Sequence, residues 1–171
     1  MTIPIEFVVS GRPSSVNGKS AKKLAWKQRV SNAGNAELTK KFKPNSFPAP
    51  YASEVTVKVF FFPHNCQYTD IDNGLKHTID ALCPPANAVL PAAPFAPILQ
   101  NDRTVLRLTV ERFAPVPGSS LLVPIGFAPT LARALMIANG QASIAAGGPS
   151  KPEYATAIKF EPYIDNNGGL W

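Results

Sequence analysis

Cysteine is nearly absent. Cys66 and Cys83 are the two in 171 residues, too few for a disulfide framework. Charged residues make up 16% against an ordinary ~25%, which excludes a charged coiled coil and wholesale disorder. No apolar run reaches the ~18 residues of a membrane helix. The best candidates, 86–99 and 120–139, are broken by prolines, and the second holds Arg133. The N-terminus has no basic region, and Glu6 interrupts its apolar stretch, so no signal peptide is expected. A soluble, cytoplasmic protein with reduced thiols follows, of about one domain in length. It is long enough to bury a core unaided.

Acids are scarce at 11, whereas bases number 17, for a net charge of +6. The excess is local. Residues 12–43 hold Arg12, Lys19, Lys22, Lys23, Lys27, Arg29, Lys40, Lys41 and Lys43 against Glu37, while the rest of the chain is slightly acidic. Such a concentration suits a polyanion partner; the plainer reading is a solvated helix face beside a lysine-rich loop.

Proline is in excess, at 18 residues, about twice the ~5% norm. Most lie in connections: a loop over 43–52 and two insertions over about 83–100 and 114–152. Between them the pattern is regular. Strands are expected over 3–9, 54–62, 104–112 and 154–162. On the second, Val55, Val57, Val59 and Phe61 share one face, with Thr56 and Lys58 on the other. On the third, Val105, Arg107, Thr109 and Glu111 alternate with Leu106, Leu108 and Val110.

One helix is expected from about Ser20 to Val30, with apolar contacts from Leu24, Ala25 and Trp26 and a weaker pattern onward to Lys41. A second runs from about Asp70 to Leu82, its buried stripe being Ile71, Leu75, Ile79 and Leu82. A short third covers about Thr130 to Asn139. His77 is expected on a helix surface, Trp26 and Phe60 to Phe62 in the core, and the tail from Asp165 frayed. The fold class is α+β (mixed α/β): a small mixed sheet of about four strands with helices packed on it, over 1–171 as a single domain.

Among so few acids, Asp70 and Asp72 stand two apart at a helix start, Lys76 follows Asp72 by one turn, and Asp102 precedes a strand. Carboxylates are the ligands that Mg²⁺ takes, together with water and phosphate oxygens. A metal held there lowers the pKa of a bound water and offsets charge on a phosphate, with a lysine as a further point charge. The same residues also suit a plain helix start: Asp70 or Thr69 as N-cap, Asp72 favourable to the helix dipole, and Asp72 with Lys76 as an ordinary pair worth about 0.2–0.5 kcal/mol. An EF-hand fails, because Gly74 falls at the fifth position and Ala81 at the twelfth. His64, Cys66, His77 and Cys83 fit no zinc spacing.

The pattern Asp70-Ile71-Asp72-Asn73, Lys76, Asp80-Ala81-Leu82, then Asn101-Asp102-Arg103-Thr104-Val105 resembles the RusA family of Holliday junction resolvases. The opening strand running into Gly11-Arg12-Pro13-Ser14-Ser15-Val16-Asn17 is similar as well. The resemblance covers about residues 3–113, with 154–162 as a closing strand. It implies a homodimeric, Mg²⁺-dependent (or Mn²⁺-dependent) endonuclease that resolves four-way DNA junctions by symmetric phosphodiester hydrolysis in recombination and repair. Asp70, Asp72 and Asp102 would be the metal-binding carboxylates and Lys76 the motif lysine, with Asp80 a surface or packing residue. Asn101 stands where the family has a further Asp; with Asp102 kept, metal binding is expected to survive. The loops 83–100 and 114–152 are longer than the family pattern. Arg12, Asn17, Lys19, Lys22, Lys23 and Lys27 are the expected DNA contacts. A cytoplasmic bacterial protein of cellular or phage origin is implied. The alternative is a non-catalytic DNA-binding or structural protein that keeps the fold.

Overall fold

A computed structural model describes residues 4–15, 17–43, 50–65, 70–83, 97–113, 128–141 and 151–164. Most of both insertions, the tail from Asp165, Val16 and Cys66 lie outside the described residues, so the expected fraying of the tail falls there too. The elements in chain order are β1 (Ile5–Ser10), α1 (Ser20–Lys41), β2 (Val55–Phe62), α2 (Ile71–Leu82), a 3-10 turn (Asp102–Thr104), β3 (Val105–Arg112), α3 (Pro129–Ala138) and β4 (Ala155–Pro162). The sheet is mixed, in the order β1-β4-β2-β3. β4 runs antiparallel to both β1 and β2, whereas β2 and β3 are parallel and are joined through α2. No helix among the described residues is long and apolar enough to cross a membrane.

The two-residue period of β2 has the expected consequence. Val55, Val57, Val59 and Phe61 are buried on one face with Ile5, Phe7, Val9, Ile158 and Phe160. Helices α1 and α2 cover that face. Thr56 points the other way, as alternation requires, yet it is buried. On that second face Ala155 and Ala157 are small enough for α3 to lie close, and Ala134, Ile137 and Ala138 pack there with Phe62. Phe113 stacks on Phe62 with ring centroids 4.6 Å apart. Farther along the same face Lys58 and Lys159 both bind Glu161, at 2.8 and 2.9 Å, and Lys159 reaches Glu6 at 3.4 Å.

Helix α1 runs the full 22 residues to Lys41. Its contact row is Trp26, Val30, Gly34 and Leu38, spaced by four, which keeps one face against the core. Leu24 and Ala25, expected in contact, are exposed; they lie off that row. Gly34 is needed for the close approach, because a Cβ there would meet Ile98 and the Phe7 ring.

Helix α2 also departs from the expected stripe. Its buried residues are Gly74, His77, Thr78, Ala81 and Leu82, while Leu75 and Ile79 flank the core and Ile71 is exposed. The helix is rotated because α1 packs along its other side, where the Trp26 indole N–H donates to Thr78 Oγ1 at 3.2 Å. His77 is therefore buried and not on the surface. In β3 the register slips between the pairs Val55↔Val105 and Thr56↔Arg107. The extra residue, Leu106, breaks the expected alternation, so Val105 and Val110 both border the α1–α2 core.

Phe160 is fully buried in the central strand β4. Phe160→Ala should cost about 3–5 kcal/mol, read as a lower urea midpoint with an unchanged slope.

Candidate metal and nucleic-acid site

Asp70 and Asp72 are held together by the start of α2. Asp70 occupies the N-cap position with extended backbone but makes no side-chain capping bond. Instead, Asn73 Nδ2 donates to Asp70 Oδ2 at 3.3 Å, and the Asn73 backbone N–H donates to Asp72 Oδ1 at 2.8 Å. Both carboxylates and Lys76 are exposed. The Asp72–Lys76 ion pair that spacing suggests does not form among the described residues. An exposed carboxylate pair at a positive helix end, engaged among the described residues by a neighbouring asparagine, leaves oxygen lone pairs facing solvent.

Asp102 does not join them within the chain. Because β2 and β3 are parallel, α2 must run back along the sheet between them. It begins beyond the last residues of β2 and ends beside the first residues of β3. Ile98 and Leu99 N–H groups both bond to the Leu82 carbonyl at the far end of α2, at 2.9 and 2.8 Å. The chain then enters the turn that carries Asp102. Twelve helical residues span about 18 Å, so Asp70 and Asp102 lie at opposite ends of one element. Accordingly, no group of three or more His, Cys, Asp or Glu side chains is disposed to hold a metal among the described residues. The expectation that Asp70, Asp72 and Asp102 of one chain converge is corrected by this topology. Asp102 acts instead at the other end: with burial as the main cause, its charge and that of Asp80 push the Cys83 thiol up to about 12.

The basic segment is brought to the start of α2. Gly74 lacks a side chain where Pro13 comes down on the helix; an added Cβ would lie 3.2 Å from Pro13 Cβ and 3.4 Å from the Phe61 ring. Of the expected DNA contacts, Arg12, Asn17, Lys19 and Lys22 are exposed on and after this turn and Lys23 is half-buried. Lys27 is different: its ammonium is bound to Asp80 at 2.9 Å. That bond ties α1 to α2 and gives Asp80 a packing role. A cavity of about 380 Å³ opens between the turn and α1, lined among others by Arg12, Ser14, Ser15, Lys22 and Arg29. Arg29 belongs to the basic segment and the two serines to the opening turn, but none of the three is among the expected DNA contacts. The signal available was Arg29 standing two helical turns after Lys22, on the same face.

His77 lies beneath this region with both ring nitrogens buried and neither in a hydrogen bond among the described residues, Nδ1 standing 3.8 Å from Asp80 Oδ2. Burial first, and then the Lys27 charge, lower its pKa from 6.5, against the opposing pull of Asp80. These surroundings favour the uncharged imidazole.

A scan against family models found none that matches the chain, and a search of curated proteins found no matching relative.

The lowered pKa of His77 makes stability depend on pH. The folded protein binds fewer protons than the unfolded chain below pH 6.5, so the stability associated with neutral His77 is full above that pH and declines as pH falls through the lowered value. Proton NMR of His77 should titrate below 6.5, and His77→Leu should flatten that part of the stability–pH curve.

Proposed function

We propose that this protein is a Mg²⁺-dependent endonuclease of the RusA type, acting as a homodimer on branched DNA, with each metal site shared between two chains. The observation that carries it is the exposed Asp70–Asp72 pair at the start of α2, abutting the basic β1–α1 turn through the Pro13–Gly74 contact. Metal-binding oxygen and phosphate-binding cation are thereby neighbours, as hydrolysis of a phosphodiester requires. Asp70 and Asp72 would hold the metal, which when bound would supply Lewis acidity and an activated water. Lys76 offers a positive charge one turn away, and the basic turn holds the DNA backbone.

The partner chain accounts for Asp102. β3 is an edge strand, exposed along much of its length, with Leu106 49% and Leu108 44% exposed. A two-fold axis through such an edge pairs β3 with its copy antiparallel. Antiparallel pairing sets the start of one β3 beside the end of the other, so Asp102 reaches the end of the partner where α2 begins. A register centred on Thr109 opposes Arg107 to Glu111 twice and covers Leu108 with Val110. Opposite charges in facing positions favour that register. A two-fold dimer also matches the near two-fold symmetry of a four-way junction.

The test is complementation. Asp70→Asn and Asp102→Asn should each abolish Mg²⁺-dependent cutting of a synthetic four-way junction. Mixed and re-equilibrated in equal amounts, the two inactive variants should regain nicking, because half the dimers carry one intact site, or about a quarter of all sites. Undiminished cutting by either variant would exclude the assigned carboxylates. Inactive variants that fail to rescue one another would exclude the shared site. A wild-type protein that binds junctions but cuts none in Mg²⁺ or Mn²⁺ would make it a DNA-binding protein that keeps the fold.

A further inference from the structure

We infer that the cavity between the β1–α1 turn and α1 is a pocket for one backbone phosphate, and that Arg29 is its central ligand. This deepens the nuclease reading and rests on it for the identity of the polymer, though the pocket itself stands on its own geometry.

The cavity, about 380 Å³, admits a phosphodiester group with part of its sugar, and its lining contains three cations, Arg12, Lys22 and Arg29, and no acid. Two glycines shape it. Gly11 has φ +96°, and the Arg29 guanidinium lies where a Cβ of residue 11 would stand. The Gly11 backbone N–H donates to the carbonyl of Tyr154 at 2.6 Å, so the residue just before β4 anchors the glycine over which the guanidinium rests. Glu153 Oε1 lies 3.9 Å from that same Cβ position. Gly18 permits the second approach, because a Cβ there would lie 2.9 Å from Ser14 Oγ and from the Ser15 carbonyl. That folded turn puts both serines on the cavity wall. Ser14 Oγ has only a long bond to the Ser15 carbonyl, 3.4 Å, so its hydroxyl is available to a better acceptor.

The pocket is also placed for the reaction. Pro13 lines it and touches Gly74, whose N–H bonds to the Asp70 carbonyl at 3.1 Å. The pocket thus adjoins the start of α2, so a phosphate held by Arg29 would lie on the same side of the molecule as Asp70 and Asp72. A planar guanidinium grips two phosphate oxygens at once, and a lysine does not. This separates Arg29 from the solvated lysines of the same helix, such as Lys40 at its far end.

The full-length chain is titrated with a fluorescent four-way junction in EDTA over a range of salt concentrations. Arg29→Gln should weaken binding about tenfold at moderate salt and lower the slope of log affinity against log salt by about one. Lys40→Gln should stay within about twofold of wild type, and Arg29→Lys should recover part of the affinity. Melting curves confirm that each variant is folded. An unchanged affinity and slope in folded Arg29→Gln overturns the assignment even if the wild type cuts DNA. If the wild type binds no DNA, the nuclease reading fails separately. The pocket then stands only if inorganic phosphate raises the wild-type melting temperature over chloride at equal ionic strength and Arg29→Gln abolishes that rise; without it the pocket falls too.

Discussion

The parallel pairing of β2 with β3 constrains everything else in this molecule. Two parallel neighbours cannot be joined by a tight turn, so the chain must return across the sheet before the second strand begins. Helix α2 makes that return. Its start carries Asp70 and Asp72, and its end meets Ile98, Leu99 and the turn with Asp102. The same pairing that builds the sheet thus keeps the carboxylates of one chain apart. It also leaves β3 at an edge, where a second copy can reverse the arrangement and bring the two ends together.

Helix α1 serves two purposes because its faces differ. The row Trp26, Val30, Gly34 and Leu38 is buried, and the lysines and arginines around it face outward or into the cavity beside Pro13. Two contacts lock α1 to α2, the Trp26–Thr78 hydrogen bond and the Lys27–Asp80 ion pair, and a third joins the β1–α1 turn to α2 where Pro13 lies over Gly74. The first two fix the angle between the helices and the third sets the height of the basic turn above the carboxylates. Lys27 is consequently a structural cation among cations that face solvent, and its neighbours in sequence are not its equals in role.

Where periodicity was strong, sequence and structure agree closely. β2 was legible because four apolar residues alternate on one face and a buried sheet has no other way to use them. α3 and β4 fall within a residue or two of their expected limits. The misses share a cause. Leu24 and Ala25 were expected inside because they sit beside Trp26 in sequence, but a helix buries every third or fourth residue, and the true row runs on to Leu38. The stripe of α2 was displaced toward Gly74, His77 and Thr78 because α1 packs beside it, a partner that no local window contains. The slip at Leu106 depends on the strand opposite β3, and it changed which side Val105 faces.

The order of strands and helices, the α+β class and the association of Asp70 with Asp72 were determined by the sequence alone, because alternation, helical spacing and adjacency at a helix start are local properties. Tertiary structure decided what those residues meet. It put Asp102 at the far end of α2, committed Lys27 to Asp80, buried His77, and gathered Arg12, Lys22 and Arg29 around one cavity. These outcomes depend on strand direction and on helix packing between segments distant in the chain, and no spacing within a single segment encodes them.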